Sequence, residues 1–371
     1  MQKIIILSLV ALSIIFSCGK DDAGDNINFS DLFINTSENI IQPQYLKYKT
    51  HCQEVKDASE TFINDVTLAN LEDLQALFIE NYKLWQHTSL YEFGPAVDAD
   101  ILLKTTINSY PTNANLIDQN ITSGNYNLDA ANNIYAIGLP AFEYLIYGST
   151  KNNNSVLSSF STDSDAENRK VYLTQLIDQI LNKITLASNR WSTYHDQYIS
   201  NKGTGNGSSL TLLFNAYLKD YEETKRNKFA LPAGFATEFS IPIAKDANKV
   251  EARYSDISFE LMIESMKAHK AFFQGIGPDG INGIGFHDKL KEYEAVSTII
   301  DGDLADVSLN QMEIALTSLN NYTTSFSNEI LNSNAQLENT SLELQKLVPL
   351  IKVDMKSYFG VPITSQDTDG D

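Results

Sequence analysis

The sequence predicts an all-α protein of two packed helical-bundle domains, and three observations carry that prediction. Apolar residues recur at three- and four-residue steps along most of the chain, as buried helix faces require. Strand-like alternation is scarce. A glycine- and serine-rich stretch, Asn201 to Ser209, divides the chain beyond its N-terminal leader into halves of similar size. With 43% hydrophobic residues in 371, the chain is long enough for two cores.

Residues 1–17 read as a processing signal: Met1-Gln2-Lys3 starts it, Ile4 to Phe16 is nearly all apolar, and Ser17-Cys18 closes it. That run is too short for a bilayer-spanning helix. Leu12 to Cys18 resembles a bacterial lipobox, whose cysteine thiol carries the lipid after cleavage. Acyl chains on Cys18 would then hold the protein at a membrane, each buried methylene contributing about 0.8 kcal/mol. Residues 18–35 are expected to be an acidic flexible tether, on the strength of the polar run Gly19 to Asn26. Lys20-Asp21-Asp22, just past the cysteine, is similar to the surface-export signal of Bacteroidetes-type lipoproteins. The expected location is therefore the cell envelope, as an outer-membrane lipoprotein displayed at the surface.

An N-terminal bundle is expected over 36–200. His51-Cys52-Gln53-Glu54 falls in its first long helix, where His51 and Glu54 share a face; an exposed polar face beside a buried cysteine is the expectation. With Cys18 acylated, Cys52 has no disulfide partner. Leu71, Leu74, Phe78, Tyr82 and Trp85 mark the next helix, Ser149 to Asp165 a surface loop, and Leu173, Leu176, Ile177, Ile180 and Ile184 a further helix. After the linker 201–209, the C-terminal bundle is expected over 210–365. Phe239 to Ile243 is the best strand candidate, demoted to a loop or edge by Pro242. Helices are marked by Phe259, Met262, Met266 and Phe273, by Leu316, Leu319, Tyr322, Phe326 and Ile330, and by Leu344, Leu347, Val348, Ile351, Met355 and Tyr358. Gly275 to Gly280 spells Gly-x-Gly-x-x-Gly but comes after a helix, not a strand, and so reads as a flexible loop rather than a dinucleotide site. Residues 366–371 are an acidic tail; Asp367, Asp369 and Asp371 lack the later Glu that closes a calcium cage.

The 47 acidic and 27 basic side chains give a formal charge of -20. This excludes a nucleic-acid partner, which needs a positive footprint, and leaves membrane attachment to the lipid rather than to anionic headgroups.

One segment is singled out by its motif: Ile137-Gly138-Leu139-Pro140-Ala141-Phe142-Glu143-Tyr144. It resembles the Gly-x-His-x-x-Glu signature of imelysin-like proteins, with Pro140 at the histidine position. Further motifs are similar to that family in the same order. They are Trp85 with Leu90-Tyr91-Glu92-Phe93-Gly94-Pro95, Ile107-Asn108-Ser109-Tyr110-Pro111 with Leu116-Ile117-Asp118, Glu251 to Ser258, and Val353 to Thr364. The likeness spans about residues 40 to 371. It implies two helical bundles with the motif helix facing a cleft between them, in an envelope protein associated with iron uptake and carrying a metallopeptidase label.

A His and a Glu three apart on a helix can share a transition metal, but proline offers no lone pair. Glu143 remains the one candidate metal ligand, for iron or zinc, and the missing histidine weakens that expectation. Without metal, Gly138-Leu139-Pro140 simply starts a helix and Glu143 sits in its first turn. Glu143, Trp85, Glu92, Asp118, Arg253 and Ser255 are the candidate ligand-binding residues. Arg253 is expected to pair with Glu92 or Glu143, and Ser255 to cap a helix beginning at Asp256. None of the histidines His51, His87, His195, His269 and His287 forms a His-Glu-x-x-His pair, so no catalytic residue is assigned. The function expected is a lipid-anchored binding protein serving iron or nutrient acquisition beside envelope transporter components. The alternatives are a metal-dependent hydrolase that recruits His87, and a partner-binding scaffold.

Overall fold

The computed structural model describes residues 27–238 and 241–364. The segment expected to be a signal sequence, Cys18 and the terminal aspartates lie outside the described residues. Helix dominates the described residues, with loops between and very little strand. The first half comprises α1 (Ser30–Asn35), α2 (Gln42–Asn64), α3 (Leu68–Thr88), α4 (Leu103–Ile107), α5 (Ala114–Ser123), α6 (Gly138–Tyr147), α7 (Asn153–Ser161) and α8 (Ala166–Ser200). The second comprises α9 (Ser209–Glu222), α10 (Leu231–Ala233), α11 (Ser258–Phe273), α12 (Phe286–Glu292), α13 (Leu304–Asn320), α14 (Phe326–Leu331), α15 (Gln336–Gln345), α16 (Leu347–Pro349) and α17 (Lys356–Phe359). The strand candidate is a small exposed hairpin, Thr237–Glu238 paired antiparallel with Ile241–Pro242. No described helix is long and apolar enough to cross a membrane.

Local chemistry accounts for the main helices. The Thr67 side chain caps α3, Ser208 caps α9 and Asp303 caps α13, each accepting an early backbone N–H that the helix itself leaves unpaired. The stripe Leu71, Leu74, Phe78, Tyr82 and Trp85 is fully buried, as is the α8 stripe from Leu173 to Ile184. α2 packs along both α3 and α8, α11 packs on α13, and α3 meets α11 across the two halves. A single buried apolar cluster therefore runs through both halves. The loop between them is tied on itself: the Asn201 side-chain amide donates to Gly207 O (2.7 Å) and Ser209 Oγ to Tyr198 O (2.6 Å).

Three expectations are corrected here. The surface loop expected from Ser149 to Asp165 holds the helix α7, whose Val156 and Phe160 are buried. The tether stops short of residue 35, because Ser30–Asn35 is helical and docked, with Leu32 and Phe33 each 1% exposed. Phe29 lies edge-on to Phe359 (5.7 Å), and the buried Lys289 ammonium pairs with Asp31 (2.8 Å). The apolar residues beyond the polar run outweigh the tether composition. The Gly275–Gly280 loop is also not loose. A Cβ on Gly277 would stand 2.0 Å from Asn39 O, so the glycine permits backbone contact with the N-terminal segment. The Asn35 amide secures that contact by donating to Gly275 O (2.9 Å) and Ile284 O (3.0 Å).

Candidate functional site

α6 begins where the motif predicts and is wholly buried from Gly138 to Ile146. Gly138 has φ +71°, and a Cβ there would lie 2.3 Å from Ile107 O and 2.6 Å from Thr106 O. The glycine thus lets α6 enter against the end of α4. Gly138→Ala is expected to cost about 2–5 kcal/mol by chemical denaturation, from left-handed strain plus backbone displacement. Pro140 is the third residue of α6, which puts Glu143 one turn deeper than the first turn.

Glu143 is 1% exposed. Its Oε1 accepts the Tyr254 N–H (3.1 Å), the Ser255 N–H (2.7 Å) and the Ser255 hydroxyl (2.6 Å). The turn that supplies these donors is bracketed by two non-glycine residues in left-handed conformation, Ala252 (φ +52°) and Asp256 (φ +62°). Such strain persists only where surrounding contacts over-determine it, and here it aims successive N–H groups at one carboxylate. Burial pushes the Glu143 carboxyl up to about 7 against the pull of these hydrogen bonds. Glu143 is therefore a clamp between α6 and the turn entering α11.

Ser255 serves that clamp and does not cap a helix: α11 starts at Ser258, after Ile257. Arg253 does not pair with Glu92 or Glu143; its guanidinium lies over the Tyr254 ring, 5.0 Å from the centroid. Asp118 accepts the Tyr144 hydroxyl (2.8 Å) and faces Arg169 at 3.5 Å. The Tyr144 ring packs on Tyr254 (5.2 Å), so Asp118 and Arg253 flank the clamp from outside.

Trp85 and Glu92 go elsewhere, to a cavity of about 440 Å3 bounded by both halves. Lys104, Asn108 and Tyr110 join them from the first half; Lys219, Glu223, Asn227, Lys228 and Lys249 come from the second. The segment Glu223–Ala230 continuing α9 is a π-helix. Its i→i+5 bonding widens the turn, so residues four and five apart, Glu223 with Asn227 and Lys228, share the cavity face. Two buried carboxylates stand behind this wall. Glu251, 1% exposed, is held by Lys228 Nζ (2.9 Å), Asn108 Nδ2 (2.7 Å) and Gln86 Nε2 (3.2 Å). Asp220 is held by Lys104 Nζ (2.7 Å) and the Ser89 hydroxyl (3.0 Å), and its carboxyl falls to about 2 as Lys104, His269 and Lys228 outweigh burial. Lys104 also pairs with Glu223.

Sequence reasoning missed Lys104, Asp220, Glu223 and Lys228. The run from Lys219 to Lys228 reads as a solvated charged face; the available signal was that Leu210 to Leu218, just before it, is too apolar for a surface helix.

These residues do not fit a metal centre. No group of three His, Cys, Asp or Glu side chains that could hold a metal occurs among the described residues. His87, the recruit the hydrolase alternative needs, pairs with Glu264 (2.9 Å). His51 pairs with Glu54 (3.3 Å) beside the buried Cys52, as expected of a polar surface. His269 is fully buried, and its Nδ1 lies 2.8 Å from Ser265 O.

The family model for imelysin, Peptidase_M75, matches residues 41–352. No curated protein matches the chain. Among solved structures, the fold is similar to a putative iron-regulated protein A precursor from Parabacteroides distasonis ATCC 8503. The TM-score is 0.72 and the identity 16%, covering 91% of this chain and 97% of that one. It is also similar to an imelysin-like protein from Psychrobacter arcticus 273-4, with TM-score 0.69 and 14% identity over 92% of this chain and 99% of that one. At these identities the likeness is one of fold.

Proposed function

The chain belongs to the imelysin family, and on that premise we propose that it is a lipid-anchored envelope binding protein serving iron or nutrient acquisition. Cys18 carries the anchor, and the cavity between the halves is the ligand seat. The observation that supports this reading is the cavity itself: about 440 Å3, lined by an aromatic ring, amides, lysines and carboxylates, a size and chemistry suited to a small solute. In this reading the ligand seat is the cavity of Trp85 and Glu92, while Glu143, Ser255, Arg253 and Asp118 order its surroundings. The hydrolase alternative lacks support, because Pro140 donates nothing and no three-donor cluster occurs among the described residues.

The test is made in cells. Deleting the gene should slow growth on limiting iron, and the parent gene should restore it. Ser109 also lines the cavity, so Ser109→Trp, which fills it, should fail to restore growth although the protein accumulates folded. Cys18→Ser should move the protein from the membrane to the soluble fraction. Unimpaired growth of the deletion strain on limiting iron would overturn the proposal.

A further inference from the structure

The cavity wall has hydrogen-bond donors left over. Its carboxylates are engaged: Glu92 by Lys219 (2.7 Å), Glu223 by Lys104, and Glu251 behind the wall by Lys228, Asn108 and Gln86. The Asn108 carbonyl accepts the Tyr82 hydroxyl (2.7 Å), and Asn227 Oδ1 accepts from Arg226 (3.2 Å).

Four donors remain. The Trp85 indole N–H belongs to a side chain with no exposure, lines the cavity, and has no partner among the described residues. A buried indole N–H without an acceptor is rare enough to require one. The Tyr110 hydroxyl keeps its proton, since burial and then Glu251, Glu223 and Asp220 raise it well above the usual range. No hydrogen-bond acceptor is assigned to it among the described residues. The Asn227 amide NH2 is similarly placed. Lys249 completes the set. Of the lysines lining the cavity, it alone has no carboxylate at ion-pair distance among the described residues, while Lys104, Lys219 and Lys228 are paired.

We infer that this cavity takes a small polyhydroxylated monocarboxylate, its carboxylate on Lys249 and its hydroxyl oxygens on the Trp85, Tyr110 and Asn227 donors. The inference rests on the reading of the cavity as the ligand seat and names the class of solute it admits. A site with unmatched donors selects ligands that bring acceptors, because binding anything else leaves those donors desolvated and unpaired. One unpaired cation calls for one negative charge. Glu92 and Glu223 at the same wall would repel the second charge of a phosphate monoester. Hydroxyl groups can also donate back to those two carboxylates, which a purely apolar acid cannot do. Such a solute arrives either free or as the organic shell of a ferric chelate.

Titration calorimetry on the purified protein decides the matter, with gluconate, ferric gluconate, glucose and glucose 6-phosphate as probes. Gluconate is expected to bind at least about tenfold more tightly than glucose or glucose 6-phosphate, since a charge-assisted hydrogen bond is the stronger kind. Lys249→Met should erase the preference over glucose while leaving the fold unchanged, because Lys249 is half-buried and unpaired. Trp85→Phe, which keeps the ring and removes the N–H, should weaken gluconate binding by about five- to tenfold. Tighter binding of ferric gluconate than of gluconate identifies the chelate as the source, and equal or weaker binding identifies the free acid. Glucose binding as tightly as gluconate, or no binding of either gluconate form, overturns the inference. If that happens while Ser109→Trp still fails in cells, the cavity remains the ligand seat and only the solute class is wrong.

Discussion

Lys228→Met is expected to destabilise the protein by about 3–5 kcal/mol at neutral pH, the usual cost of removing one member of a buried ion pair. Lys228 is 5% exposed and Glu251 1%, and the Lys228 ammonium contacts both Glu251 oxygens, at 3.2 and 2.9 Å, and the Gln86 carbonyl. Methionine fills most of the volume but leaves the carboxylate with only the Asn108 and Gln86 amides. The loss therefore measures an uncompensated charge rather than a void. Adding Glu251→Gln should recover most of it, because the neutral amide still accepts from Asn108 and no longer needs a cation. Urea denaturation of the two single variants and the double completes the cycle. Additive losses would show that the pair is not the unit that holds α3, α4 and the π-helical segment together.

Glu143→Ala is the second large effect. It strips the acceptor from two backbone N–H groups and a hydroxyl at a buried site, so a loss of about 3–5 kcal/mol is expected from unpaired donors and the cavity left behind. Glu143→Gln should act in the opposite direction and depend on pH. The carboxyl is raised from an ordinary 4.5 to about 7, chiefly by burial. Between these values the folded state binds more protons than the unfolded state, so this group's contribution is most favourable below about 4.5 and is lost as pH rises to about 7. Glutamine keeps an acceptor for Tyr254 and Ser255 without the charge. At pH 8 the variant should be more stable than the parent by roughly 3 kcal/mol, and the difference should shrink to under about 1 kcal/mol by pH 5. A difference independent of pH between 5 and 8 would show that Glu143 keeps its charge in the fold throughout.

These two sites were legible to different degrees. Gly138 and Glu143 stand out in the sequence because a motif fixes their spacing, and α6 begins at Gly138. The role of Ser255 was not legible: a serine before a helical run reads as a cap, and only the left-handed turns at Ala252 and Asp256 direct it to Glu143 instead. Arg253 was expected to seek a carboxylate, but its guanidinium lies over the face of Tyr254. Lys104, Asp220, Glu223 and Lys228 carried no readable signal as a set. Their positions span more than a hundred residues, and charges in a helix look solvated until something covers them.

The sequence by itself determined the helices, since a periodic apolar face and a capping side chain act within a few turns of chain. It also determined the near-absence of sheet, and it sets Pro140, a residue with no lone pair to offer, three positions before Glu143. Only the tertiary structure decided where the charges went. Packing α3 against α11 and opening a π-helical turn after α9 brought distant lysines and carboxylates into one wall, where the buried ones pair. Which donors remained unpaired there, and hence what the cavity can hold, depends on distances between residues that no local pattern relates.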